Sequence, residues 1–188
     1  MPVITLYVAR HGQTALNQQR RFQGSTDAPL DAEGLAQAEA LAQRLPPDIT
    51  RIVASPMLRA RQTAECVARA RGLAVSLMET FCERDYGVFE GLNREDIEAQ
   101  YAEIWQRKIV QQWDDAPPGG ESMRQVRTRV EAGLAQLCET HAGETVLLVA
   151  HGFIARMLHW LLNDLPEEQI HAQTMLGNAE FERYLIER

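Results

Sequence analysis

Arg10-His11-Gly12, Arg59, an acidic stretch from Glu83 to Glu90, and His151-Gly152 are the residues in this chain whose types and spacing could do chemistry. The planar fork of an arginine matches two oxygens of a phosphate, so Arg10 and Arg59 suit an anionic substrate. A neutral imidazole is a competent nucleophile toward phosphorus when its second nitrogen is fixed as the donor tautomer. Gly12 after His11 lets a backbone carbonyl come close enough to hold that proton. A second histidine, if cationic, would join the arginines in stabilising a transferring phosphoryl group. The leaving oxygen also needs a proton, and Glu83, Asp85 and Glu90 all qualify. They lie in an aromatic, glycine-punctuated loop that can bury a carboxyl group and raise its pKa toward the working pH.

Both histidines end an apolar run, Leu6-Tyr7-Val8-Ala9 in one case and Leu147-Leu148-Val149-Ala150 in the other. Such runs read as buried strands opening into loops, and in α/β sheets ligands gather beyond the carboxyl ends of the strands. Strands are expected over 3–9, 51–54, near 74–78 and over 145–150, with one or two edge strands between 173 and 186. A helix over 32–45 carries Leu35, Ala38, Leu41, Ala42 and Leu45 on one stripe. Another covers 56–70, with Ser55 as N-cap and Pro56 at the first helical position. Arg59 then falls in the first turn, where a cation opposes the helix dipole by roughly 0.3–1 kcal/mol unless an anion sits there too. Helices are expected around 93–113, ended by the breaker 114–120. Met123, Val126, Val130, Leu134 and Leu137 mark a long amphipathic helix, and 152–163 an internal one. The alternation predicts an α/β layered fold with right-handed crossovers. His141, His159 and His171 read as structural imidazoles.

The 188 residues suit a single domain, 1–188, with a sizeable core. A net charge of −7 disfavours a general affinity for nucleic acid or anionic membranes. No apolar stretch approaches the ~20 residues that span a bilayer. Met1-Pro2-Val3 leads straight into a strand without a signal-like segment. Cys66, Cys82 and Cys138 form no C-x-x-C pair and are expected to be free thiols in a reducing cytoplasm. There is no G-x-x-x-x-G-K-[ST] loop, no Asp-x-Asp pair, no H-E-x-x-H and no cysteine-phosphatase loop. A mechanism without metal or cofactor is therefore expected, acting on a small phosphorylated metabolite. A homodimer is compatible with the sequence.

Taken together, the motifs resemble the histidine phosphatase superfamily, which includes the cofactor-dependent phosphoglycerate mutases. The resemblance runs through Arg10-His11-Gly12-Gln13-Thr14 with Asn17, Phe22 to Leu30, Ser55 to Thr63, Glu83 to Gly91, Gly119-Gly120-Glu121-Ser122 and Val149-Ala150-His151-Gly152. It implies a three-layer α/β/α sandwich on a mostly parallel sheet. It also implies a phosphohistidine on His11, a phosphate pocket made by Arg10, Arg59 and His151, and a proton donor at Glu83. Asn17 resembles the family's phosphate-contacting asparagine, Gln23 and Gly24 match positions lining the substrate side, and Gly152 follows the second histidine as usual. Mutases of the family carry a longer segment with paired arginines, which Arg107-Lys108 matches poorly, and the chain ends soon after its last strand. The chain is most similar to short bacterial members such as α-ribazole phosphatases and broad-specificity phosphomonoesterases. Hydrolysis by water is therefore expected, with a mutase or a phosphohistidine protein phosphatase as alternatives. Residues 81–118 are expected to cap the site and set substrate choice, with Arg20, Arg21, Arg84 and Arg94 as cations within reach.

Overall fold

The computed structural model describes residues 3–173 and 175–187. The start at Met1-Pro2, Thr174 within the expected terminal strand region, and Arg188 lie outside the described residues. Five strands form one sheet: β1 (Val3–Arg10), β2 (Arg51–Ala54), β3 (Val75–Leu77), β4 (Thr145–Ala150) and β5 (Phe181–Glu187). Their order is β3-β2-β4-β1-β5, parallel except for β5, which runs antiparallel along β1. The terminal segment thus supplies one edge strand, beginning at Phe181.

Helices cover both faces. A short α1 (Ala15–Gln18) follows β1, and on one side of the sheet lie α2 (Ala32–Arg44) and α3 (Leu58–Arg71). Leu41 and Ala42 of α2 and Ala60, Ala64 and Val67 of α3 pack on Tyr7, Ala9, Ile52, Ala54, Leu147 and Val149. After β3 the chain builds α4 (Arg94–Gln100) and α5 (Ala102–Gln106), then two long helices, α6 (Met123–Thr140) and α7 (Gly152–Leu162). Met123, Val126, Val130 and Leu137 of α6 meet Ile154, Met157 and Leu158 of α7 on the other face, over Leu6, Val8, Val146 and Leu148. Alternate residues of β1 and β4 therefore feed opposite cores, as the pleat dictates. Every residue of β4 from Val146 to Ala150 is buried, which explains its unbroken apolar run. Among the described residues no helix is long and apolar enough to cross a membrane.

Two local expectations are overturned. Leu35 is 44% exposed, whereas Ala38, Leu41, Ala42 and Leu45 of the expected stripe are buried. Ser55 and Pro56 do not open α3. The helix starts at Leu58 with Met57 as N-cap, which offers no side-chain cap. The Leu58 amide is met instead by Asp27 Oδ1 at 2.6 Å, from a loop far back in the chain.

Residues 86–110 form an aromatic core of their own. Phe89, Ile97 and Ile109 are buried there, with Phe22, Tyr86, Tyr101 and Trp105 packed around them. Phe22 stacks edge-on against Tyr86 with centroids 4.9 Å apart, and its backbone exchanges hydrogen bonds with Gly91 and Leu92. Trp113 leaves this cluster and meets Trp160 of α7 at 5.1 Å.

Candidate active site

β1 and β4 are neighbours, with Arg10 paired to Ala150. The residues immediately after them, His11 and His151, therefore emerge side by side at the carboxyl edge of the sheet. Their ring centroids are 5.2 Å apart, and both side chains are buried. The chain crosses to one side of β1 after the first strand and returns between β1 and β2 with the fourth, so the pair sits at a switch in strand order.

His11 Nδ1 lies 2.6 Å from the carbonyl oxygen of Gly12, its own neighbour. A carbonyl only accepts, so Nδ1 carries the proton and Nε2 keeps its lone pair. Burial, then the positive charges of Arg59 and Arg10, hold the imidazole well below its usual 6.5, although the Gly12 carbonyl opposes them. The ring is neutral at physiological pH. Gly12 needs no left-handed backbone; it needs room, because a Cβ there would collide with the carbonyl of Gly34 in α2. Its amide donates to Thr63 Oγ1 at 3.0 Å, and this ties the turn to α3.

Arg59 is fully buried. Its Nη1 donates to Thr26 O and its Nη2 to Gly24 O, both at 2.8 Å. Gln23 stands behind it, donating to Thr14 Oγ1 at 2.6 Å and accepting from Arg59 Nε and Nη1 at 2.7 and 2.8 Å. Gly24 has φ +52°, and a Cβ there would strike the Glu90 carboxylate. In this structure Gln23 and Gly24 thus hold the guanidinium. Arg10 donates from Nη1 to Leu176 O at 2.7 Å, while its buried Nε has no hydrogen-bond partner among the described residues. Asn17 accepts at Oδ1 from the Thr14 amide and from Asn178 Nδ2, both at 3.2 Å. Asn178 also donates to the His11 carbonyl at 3.1 Å.

The three acidic candidates separate by what they touch. Glu90 accepts from the amides and hydroxyls of Ser25 and Thr26, so it staples two loops together. Asp85 accepts from the Gly87 amide at 2.7 Å. Glu83 alone reaches the site, its Oε2 accepting from the Phe153 amide at 3.2 Å in the first turn of α7. Its charge also bears on Arg10 and Arg59. A cleft of about 310 Å³ opens beside it, lined by Ser25, Asp27, Pro56, Met57, Cys82 and Glu83. Gly152 occupies the first turn of α7 against Arg10.

Of the other expected cations, Arg20 is exposed and three are engaged with partners of their own. Arg21 is paired with Asp96 at 2.6 Å and Arg94 with Glu98 at 2.7 Å, and Arg107 faces Asp115. Arg84 is fully buried between the rings of Tyr86 and Phe153, each 5.3 Å away. His141 meets Glu144, His159 meets Glu182 and Tyr184, and His171 meets the Gln111 carbonyl, the structural roles expected of them.

Sequence reasoning missed Arg129 and Asn178. Arg129 of α6 binds both oxygens of Glu121 at 2.9 Å and donates to the carbonyls of Thr80, Cys82 and Glu83. It thereby fixes the loop that carries Glu83. The sequence signal was a cation three residues from Val126, on the flank of the apolar stripe of α6. Asn178 gave none, since its contacts are made across the fold.

A buried arginine, Arg59, and a half-buried one, Arg10, beside a neutral imidazole with a free Nε2 suit phosphoryl transfer, and that is the class to which the chain's relatives point. A model of the histidine phosphatase superfamily (branch 1) matches residues 6–188, and the chain belongs to that superfamily. It is 36% identical over 166 residues to a probable phosphoglycerate mutase of Salmonella choleraesuis (strain SC-B67), covering 87% of this chain and 77% of the relative. A mycobacterial glucosyl-3-phosphoglycerate phosphatase solved in complex with VO3 superposes with TM-score 0.87 at 32% identity, over 95% of this chain and 91% of that one. A putative α-ribazole-5'-P phosphatase from Escherichia coli K-12 superposes with TM-score 0.86 at 26% identity, over 98% and 91%. The chain is thus a phosphatase or phosphoryl-transfer enzyme of this superfamily.

Proposed function

We propose that the protein is a metal-independent phosphomonoesterase that hydrolyses a small organic phosphate through a phosphohistidine on His11. The observation that carries this reading is the 2.6 Å contact between His11 Nδ1 and the Gly12 carbonyl, which leaves Nε2 as a free lone pair on a neutral ring. Nε2 attacks phosphorus while the P–O ester bond breaks. Arg10, Arg59 and His151 hold the phosphoryl oxygens, with Asn17 and Gly152 at the rim. Glu83, protonated, gives its proton to the leaving alkoxide. It then takes a proton from the water that displaces His11 and releases inorganic phosphate. Gln23 and Gly24 act through Arg59. Residues 81–118 cap the site in the single domain and select the alcohol portion of the substrate, a phosphorylated metabolite of the cytoplasm.

The mutase alternative draws on the relative's name, but the Arg107-Lys108 pair that would serve a second phosphate is exposed and partly engaged with Asp115. The test is trapping: brief exposure to an aryl phosphate should leave an acid-labile, base-stable phosphoryl group on His11. A His11→Ala variant should form none and should lose turnover. An unlabelled wild type, or a His11→Ala variant with wild-type turnover, removes the mechanism. Phosphate release selective for one compound in a metabolite screen would identify what the cap admits. Strict dependence on 2,3-bisphosphoglycerate would make the protein a mutase instead, and turnover confined to phosphohistidine-bearing proteins would make it a protein phosphatase.

A further inference from the structure

The buried ring of His151 has one nitrogen partnered and one not. Nε2 stands 2.8 Å from Ser55 Oγ, whereas the buried Nδ1 has no hydrogen-bond partner among the described residues. Which nitrogen carries the proton decides what the ring can offer a phosphoryl oxygen: a donor or a repelling lone pair.

The surroundings of Ser55 answer this. Its oxygen already accepts from the Met57 amide at 3.3 Å, so its hydroxyl hydrogen must find an acceptor elsewhere. His151 Nε2 at 2.8 Å and Cys82 Sγ at 3.9 Å are the two at hand. Sulfur is a weak and distant acceptor, while a ring nitrogen with a lone pair is a strong, near one. The hydroxyl therefore donates to Nε2, and the proton of the neutral ring moves to Nδ1.

We infer that Ser55 is a positioning residue that sets the tautomer of His151, presenting its Nδ1–H as a ready-made donor to an oxygen of the transferring phosphoryl group. This deepens the reading above, on which it rests for the identity of the anion. The second histidine thus acts uncharged, contrary to the cationic role its sequence position suggested. Its neighbours agree. His11 and Arg10 at the end of β1, Arg59 of α3 and Arg129 of α6 all face it, and together with burial they keep its pKa well below 6.5. A cation would be repelled by the three arginines, whereas a neutral donor is not. The arrangement also accounts for a serine buried at the end of β2 that caps no helix.

Long-range 1H–15N correlation spectra of the resting protein test this directly. With five histidines in the chain, a His151→Gln spectrum assigns the resonances. Wild type should show His151 protonated on Nδ1, with Nε2 at a lone-pair shift. Ser55→Ala should move proton population to Nε2 and lower kcat by about 10- to 100-fold, up to the loss seen when an oxyanion donor is removed. Ser55→Thr, which keeps the hydroxyl, should restore both the tautomer and the rate. A wild-type His151 protonated on Nε2 would overturn the inference. So would a Ser55→Ala protein with unchanged tautomer and rate, or a Ser55→Thr protein that folds and keeps the wild-type tautomer yet stays as slow as Ser55→Ala. The tautomer is read without substrate, so a failure here is separable from a failure to trap phosphohistidine on His11.

Discussion

Replacing Arg129 by methionine should be among the most damaging single changes outside the cluster of His11, His151, Arg10 and Arg59. Methionine keeps much of the aliphatic stem but none of the five hydrogen bonds to Glu121, Thr80, Cys82 and Glu83. Three carbonyls lose this donor, and a half-buried carboxylate keeps only the Asp85 amide. Breaking a fully buried ion pair costs roughly 3–5 kcal/mol. Here the two side chains are 22% and 28% exposed, so water replaces part of the loss, and about 3 kcal/mol is expected. For a chain of this size that lowers Tm by roughly 6–12 °C. Urea unfolding measures the energy, and Glu121→Gln in the same background should recover about 1–2 kcal/mol through the lost coupling. Aryl phosphate turnover should fall mainly in kcat, since Glu83 loses its anchor. The loss also has a pH signature. Burial pushes the Glu121 carboxyl up, but Arg129 and the Asp85 amide pull it below its ordinary 4.5. Its contribution is thus complete above pH 4.5 and fades as pH falls through the lowered folded value. In Arg129→Met the arginine's pull is gone, so the folded value rises from its wild-type position. The variant's deficit should therefore narrow as the pH is lowered toward the wild-type folded value. A loss under about 1 kcal/mol with wild-type kcat would refute the clamp.

Two further outcomes follow from the histidine turns. His11 is kept neutral by burial and by Arg59 and Arg10, so below pH 6.5 the unfolded chain takes up a proton that the fold refuses. Stability should be level above 6.5 and fall as pH drops below it, and His11→Gln should make that slope shallower by at most about 1.4 kcal/mol per pH unit. Urea midpoints between pH 5 and 8 measure this, and identical slopes would contradict it. Gly12→Ala should lose about 1–3 kcal/mol, because its methyl meets the immobile Gly34 backbone. A thermal midpoint equal to wild type would contradict that close approach.

Patterns that depend on near neighbours were legible in the sequence. The strand over 51–54, the all-buried run of β4 and the apolar stripe of α6 follow from the period of the apolar residues. The two histidines could be placed together because each ends such a strand. Contacts across the fold were not legible. Ser55-Pro56 reads like a helix start, but the cap comes from Asp27, so local rules chose the wrong residue. Nothing near Glu83, Asp85 or Glu90 tells them apart, because the difference lies in the α7 amide that one reaches and the loop hydroxyls that another holds. The hydrogen bonds of Gln23 to Arg59 and Thr14 likewise cross the fold and leave no local trace.

Both sheet neighbours of β1 come from the last quarter of the chain: β4 on one side and β5 on the other. During synthesis the first strand is made early and then waits, with both edges unpaired, until residues beyond 145 emerge. At about 5–20 residues per second the wait is roughly 10–30 s. For that interval an apolar strand is a template for wrong pairing, and His11 has no His151 beside it. The histidine pair therefore exists only once β4 has been made, so a nascent chain released short of β4 carries His11 without the partner ring that sits 5.2 Å from it in the fold.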